Sequence, residues 1–117
     1  MSTNVAVVIV TYNSAREIGE CLRSLNGVGE IVVVDNASRD DTCERVEQAA
    51  PHVRLIRNNE NLGFAAGVNQ GIRATSNPFV LLFNPDTILL TPLEAMVGEC
   101  RSPGVGASCG RLTDADG

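Results

Sequence analysis

The sequence predicts an α/β protein: an open, mainly parallel, doubly wound sheet built from strand–helix repeats. Three observations carry this. Short apolar runs recur at Val5–Val10, Ile31–Val34, Val53–Ile56 and Phe79–Phe83. The first, second and fourth are continuous rather than alternating, as in strands covered on both faces of a parallel sheet. Their starts lie about 25 residues apart, which leaves room for a right-handed crossover helix each time.

Each element has its own signal. The first run, V-A-V-V-I-V, leads through Thr11-Tyr12-Asn13 into Ser14-Ala15-Arg16-Glu17, which has the form of a capping box and predicts a helix. On that helix Ile18, Cys21, Leu22 and Leu25 share a face, so Cys21 reads as a small buried hydrophobe. Ser38-Arg39-Asp40-Asp41 repeats the arrangement after the second run and predicts a second helix. Following the third run, Gly63–Thr75 reads as a helix with glycines at 63, 67 and 71. An interior glycine costs a helix about 1 kcal/mol. The i, i+4 spacing puts all three on one face, so something approaches that face closely. Two readings stand: tight packing on the sheet, or a ligand near the helix start. After the fourth run, Thr91-Pro92-Leu93-Glu94 places proline at the first position of a further helix.

The bulk numbers narrow the function. A chain of 117 residues, 44% hydrophobic and 20% charged, is enough for one packed domain spanning 1–117. A net charge of −5 argues against nucleic acid, which needs clustered cations. No stretch approaches the roughly 20 apolar residues of a membrane span, and no signal-peptide layout opens the chain, so a cytoplasmic location is expected. The cysteines at 21, 43, 100 and 109 form no C-x-x-C and have no histidine spaced to complete a zinc site; reduced structural thiols are expected. His52 follows Pro51 in a turn and receives no role.

Doubly wound sheets bind ligands outside the carboxyl ends of their strands. Here those ends carry Thr11-Tyr12-Asn13-Ser14, Asp35-Asn36-Ala37-Ser38, Asn58-Asn59-Glu60-Asn61 and Asn84-Pro85-Asp86. Any one of these could be a turn former. Four at the same edge point to a polar site. The loop after the first run has no glycine, which excludes a dinucleotide fingerprint and a P-loop. It also lacks the acidic pair of a phosphorylation receiver and the basic Gly-rich loop of a sugar nucleotidyltransferase. The ligand is therefore held by side chains.

V-A-V-V-I-V-T-Y-N-S, E-I-V-V-V-D-N-A-S-R-D-D-T, N-L-G-F-A-A-G-V-N-Q-G and F-V-L-L-F-N-P-D resemble, in order, the successive blocks of family 2 glycosyltransferases. The resemblance covers about Val5 to Leu90 and implies an inverting enzyme whose N-terminal part is the Rossmann-like half of a GT-A fold. The N-L-G-F and N-P-D blocks are most similar to rhamnosyltransferase-like members.

The resemblance implies roles for individual residues. Tyr12 would pack beside the base of a nucleotide-sugar donor (dTDP-, UDP- or GDP-linked), with Thr11 and Asn13 shaping the pocket. Asp35, followed by Asn36, would accept hydrogen bonds from base or ribose, since charge-assisted bonds are worth about 1.5–3 kcal/mol. Gly63, Phe64, Gly67 and Asn69 would form the block beside the donor. Asp86 would be the last residue of the family's D-x-D motif, holding magnesium or manganese on the donor diphosphate. Asn84 stands where that motif begins with aspartate, so the site has one carboxylate fewer and metal dependence is less firmly implied.

An inverting transfer also needs a general base. In the family it lies well beyond the D-x-D position. After Asp86 come Glu94 and Glu99 on the predicted helix, then Asp114 and Asp116 in what reads as a strand entering an Asp-Gly turn. The expectation is therefore a C-terminally truncated donor-binding part, inactive alone. Its parent would act on a glycan or lipid-linked saccharide acceptor in cell-envelope polysaccharide synthesis, with membrane association of the whole protein open. The competing reading is a non-catalytic nucleotide-diphosphate-binding module. About 100 further residues with an acidic pair would favour the enzyme, and a stop codon at 117 the module.

Overall fold

The computed structural model describes residues 5–90. In chain order these form β1 (Val5–Thr11), α1 (Ile18–Ser24), β2 (Glu30–Asp35), α2 (Thr42–Ala49), β3 (Arg54–Arg57), α3 (Phe64–Arg73) and β4 (Phe79–Leu82). The predicted helix at Thr91–Glu94, the strand and turn near residues 112–117, and Cys100 and Cys109 lie outside the described residues.

All four strands run parallel, in the order β3-β2-β1-β4. From β1 the chain steps outward to β2 and β3, then returns across the sheet to place β4 on the other side of β1. Right-handed crossovers put the helices of the outward and return steps on opposite faces. Accordingly, Val5, Val7 and Ile9 pack with Ile18, Cys21, Leu22 and Leu25 of the α1 side and Val46 of α2. The opposite face carries Val8, Val32 and Val34, with Ile56, Ala74 and Val80 against them. The doubly wound sheet predicted from the apolar runs is the observed one.

The glycine question resolves by position. A methyl group on Gly71 would come within 2.3 Å of Val8 Cγ1, and one on Gly67 within 2.9 Å of Val10 Cγ1. These two let α3 lie directly on β1, so sheet packing explains them. Gly63 differs: a methyl there meets nothing within 4 Å, but its φ of 90° lies in the left-handed region that side chains disfavour.

Several boundaries move. β3 begins at Arg54 rather than Val53, whose N–H bonds back to Ala50 O at 3.1 Å and closes the preceding turn. α3 ends at Arg73 rather than Thr75, and Arg54 Nη1 caps its terminus by donating to Ala74 O at 2.8 Å. Neither capping box forms. α1 starts at Ile18, and the Ser14 hydroxyl donates to Tyr12 O (3.3 Å) instead of accepting from the helix. Ser38 turns its hydroxyl to Asp35, and α2 starts at Thr42. Both hydroxyls turn back to the strand exit instead of the helix. Asp40 accepts from the N–H groups of Ala15 (3.2 Å) and Thr42 (3.1 Å), tying the two helix entries together.

No helix among the described residues is long and apolar enough to cross a membrane.

Candidate donor site at the carboxyl edge of the sheet

The strand order creates a reversal between β1 and β4, and such switch points open a crevice at the carboxyl ends. The loop after β1, with Tyr12 and Asn13, stands on one side. The segment after β4, with Asn84 and Asp86, stands on the other.

Behind the first side lies a buried hub. Thr11 and Asp35 are register partners at the ends of β1 and β2. The Thr11 hydroxyl donates to Asp35 Oδ1 at 2.7 Å, and the Ser38 hydroxyl to the same oxygen at 2.6 Å. Ser38 N–H donates to Oδ2 at 2.9 Å. Asp35 is only 3% exposed. With the Cys43 thiol, these donors fill a carboxylate that offers about four lone-pair sites. The thiol of Cys43 lies close by: burial, then the charge of Asp35 and a hydrogen bond to it, push that thiol up to about 11.

The hub ties down the exposed rim. Asn13 donates its N–H to Ser38 Oγ at 2.8 Å and accepts from Arg39 N–H at 2.8 Å, locking the two strand-end loops together. Asn13 (φ 51°) and Ala37 (φ 61°) both sit in the left-handed region. Asparagine tolerates it; alanine pays in strain, as residues beside binding loops often do. Ser14 Oγ also accepts from Tyr12 N–H at 3.2 Å, so one hydroxyl holds the tight turn that leaves Tyr12 48% exposed.

Asn36 leads to a second cluster. It is 2% exposed; Nδ2 donates to Gly63 O at 3.0 Å, while Oδ1 accepts from Asn58 Nδ2 at 2.9 Å and Leu62 N–H at 3.4 Å. Gly67 N–H also bonds Gly63 O, at 3.1 Å. Phe64, beside it, is 59% exposed. Gly67 is buried against Val10 and Asn36, so it makes room rather than contacts. Asn69 is exposed and stays outside the cluster. The bonded amide on α3 is its neighbour Gln70, which stands in the same N-L-G-F-A-A-G-V-N-Q-G block but received no role there, because its partner Asn58 is 12 residues away.

Across the crevice, Asn84 and Asp86 are both exposed. The Cys21 thiol of α1 donates to Asn84 O at 3.6 Å, and Ser24 Oγ accepts from Leu89 N–H at 3.0 Å. Burial, then the Asp86 charge, push the Cys21 thiol up to about 12, consistent with its reading as a buried, reduced residue.

Residues 6–117 match the model of glycosyl transferase family 2. The chain belongs to that family.

Among relatives of this family 2 chain, the low-salt glycan biosynthesis hexosyltransferase Agl10 of Haloferax volcanii is 33% identical over 74% of the chain and 29% of its own length. The undecaprenyl-phosphate 4-deoxy-4-formamido-L-arabinose transferase of Pseudomonas savastanoi pv. phaseolicola is 35% identical over 70% of the chain and 28% of its own. Of solved structures, the mannosyltransferase PcManGT from Pyrobaculum calidifontis, in complex with GDP-Man and Mn2+, superposes with a TM-score of 0.77. It is 27% identical over 86% of the chain and 33% of its own. S. aureus TarS 1-349 in complex with UDP gives 0.74 at 26% identity, over 84% and 32%. The family 2 chain therefore spans under a third of the length of these relatives, and its sheet is that of GT-A glycosyltransferases.

For a divalent ion, the family 2 chain offers an incomplete but usable donor set. Among the described residues no three His, Cys, Asp or Glu side chains cluster to hold a metal. Asp86 presents one exposed carboxylate at the crevice, and Asn84 adds an amide without charge. Magnesium-type ions commonly rest on one or two carboxylates plus substrate phosphate oxygens. The residues fit an ion shared with a bound diphosphate.

Proposed function

We propose that this chain is the donor-binding part of an inverting glycosyltransferase that moves a sugar from a nucleoside-diphosphate sugar to a hydroxyl of a glycan or lipid-linked saccharide. The observation that carries the reading is the β1/β4 switch point: the exposed Tyr12, on a locked loop, follows β1, and the exposed carboxylate of Asp86 follows its neighbour β4. Family membership and the GDP-Man and UDP complexes of its structural neighbours support it.

In this reading the Tyr12 ring packs against the base, an arrangement in which an aromatic face supplies area at low entropic cost. Asn13, Gly63 and Phe64 line the same side. Asp35, with Asn36, supports these loops from beneath, and Asp35 would accept from base or ribose. Asp86 would hold the divalent ion, Mg2+ or Mn2+, and Asn84 would bond the ribose. When bound, the ion would offset charge on the departing diphosphate. Transfer also needs a general base, a role given to none of the described residues. The lipid-phosphate relative supports a role in cell-envelope polysaccharide synthesis.

Titration with UDP, dTDP and GDP, with and without Mn2+, tests this directly. Tyr12 is the sole tyrosine and there is no tryptophan, so intrinsic tyrosine fluorescence reports on the site alone. At least one nucleotide should bind and perturb that emission. Binding of none of the three would overturn the donor-site reading.

A further inference from the structure

We propose that Asn58 and Gln70 are positioning residues of this donor site, a chain of amides that sets the Asn61–Phe64 loop; the inference rests on the donor-site reading above. Gln70 lies within the N-L-G-F-A-A-G-V-N-Q-G block and Asn58 at the exit of β3, and the resemblance assigns a role to neither.

The hydrogen bonds run in one direction only, because two backbone groups dictate it. Gly63 O can only accept, so it must face Asn36 Nδ2. Leu62 N–H can only donate, so it must face Asn36 Oδ1. Asn58 therefore turns its NH2 toward Asn36 Oδ1, at 2.9 Å. The second N–H of that amide goes to Gln70 Oε1 at 2.7 Å, and Gln70 Nε2 returns a bond to Asn58 Oδ1 at 2.9 Å. Asn58 thus spends both donors and its acceptor within the chain, and its own backbone N–H holds Asp35 O at 2.9 Å. Partly buried networks of this kind specify one geometry when every member is satisfied. No buried side-chain nitrogen or oxygen among the described residues lacks a partner.

What this geometry holds is the loop between β3 and α3. Gly63 supplies the φ of 90° at the start of α3, and Asn61 Oδ1 accepts from Gly63 N–H at 2.9 Å. Leu62 and Phe64 on either side point outward, 45% and 59% exposed. Their placement is set by the Asn36 bonds to Leu62 N–H and Gly63 O, and Asn36 is in turn held by Asn58 and Gln70. Gln70 sits in the second turn of α3, so the helix that Gly67 and Gly71 seat on β1 becomes the reference to which the loop is tied.

A double-mutant cycle on the 117-residue chain decides this, with calorimetric titration of UDP, dTDP and GDP as the readout. Gln70→Met keeps length and helix propensity but removes both bonds to Asn58. It should weaken the best-binding nucleotide about tenfold with little change in melting temperature. If Gln70 acts through Asn36, Gln70→Met with Asn36→Ala should bind no more weakly than Asn36→Ala alone; independent sites would instead add. Should Asn36→Ala fail to fold, the cycle with Asn58→Ala replaces it. Unchanged affinity in Gln70→Met, or additive losses in the cycle, overturns the positioning role while leaving the donor site standing. Failure of the unmutated chain to bind any nucleotide overturns both.

Discussion

The hydroxyl of Thr11, at the end of β1, donates a 2.7 Å hydrogen bond to Oδ1 of Asp35, its register partner at the end of β2. Both side chains are buried, and together with Ser38 they form the floor on which the exposed Tyr12 and Asn13 rest. Asp35→Ala strands these donors. It should destabilise the chain by about 2–4 kcal/mol, given about 1–3 kcal/mol per unsatisfied buried group, and weaken donor nucleotide about ten- to a hundredfold. Urea unfolding and calorimetric titration read the two effects. Unchanged affinity in a folded variant would remove Asp35 from the site altogether.

Gly71→Ala should cost about 1–3 kcal/mol, because the added methyl meets the Val8 side chain and α3 cannot lift without losing its contact with β1. Shortening Val8 makes room. The double variant Gly71→Ala/Val8→Ala should therefore be more stable than the sum of its singles by chemical denaturation. Additive losses would show that helix packing, not this contact, sets the cost.

Ala37 is held at φ 61° between the hub and the rim. Ala37→Gly should stabilise the chain by roughly 0.5–1 kcal/mol, since glycine enters this region without strain and the gain outweighs its greater unfolded-state entropy. A shift of the urea midpoint upward at constant slope is the expected result. A downward shift would mean that the alanine methyl contributes packing worth more than the strain.

Cys21 and Cys43 should both resist alkylation at pH 8 in the folded chain and react after denaturation, read residue by residue by mass spectrometry. Their thiols are raised from the ordinary 9.0 to about 12 and about 11. A group that holds its proton more tightly when folded adds stability that is complete below the unfolded value and fades as pH rises toward the folded one. The chain should accordingly lose stability between about pH 9 and pH 11–12. Replacing both cysteines by alanine should flatten that decline.

Asp86→Ala should abolish the increase in nucleotide affinity produced by Mn2+ and leave metal-free binding unchanged. The reason is that the single carboxylate holds the ion against the diphosphate rather than contacting base or ribose. Ser24→Ala, which removes the anchor of Leu89 N–H and so loosens the segment carrying Asp86, should reduce the same increment in part. An identical Mn2+ response in Asp86→Ala would place the ion elsewhere.

The sequence by itself determined the architecture and the polarity of one edge. Continuous apolar runs such as Val5–Val10 can be buried on both faces only in a covered parallel sheet, and parallel strands bring every strand exit to the same side. Thr11, Tyr12, Asn13, Asp35, Asn36, Asn84 and Asp86 were legible for that reason: each follows directly on a run that could be seen. Tertiary structure alone decided the rest. The order β3-β2-β1-β4 places the crevice between β1 and β4, and no local signal encodes which strand neighbours which. Ser14 and Ser38 look like helix caps in the sequence, but folding draws them to the neighbouring strand-end loop, Ser14 N–H donating to Thr42 Oγ1 and Ser38 Oγ accepting from Asn13 N–H. Gln70, though inside the N-L-G-F-A-A-G-V-N-Q-G block, showed its bonding only beside Asn58, 12 residues away along the chain, since an amide declares its role through its partner.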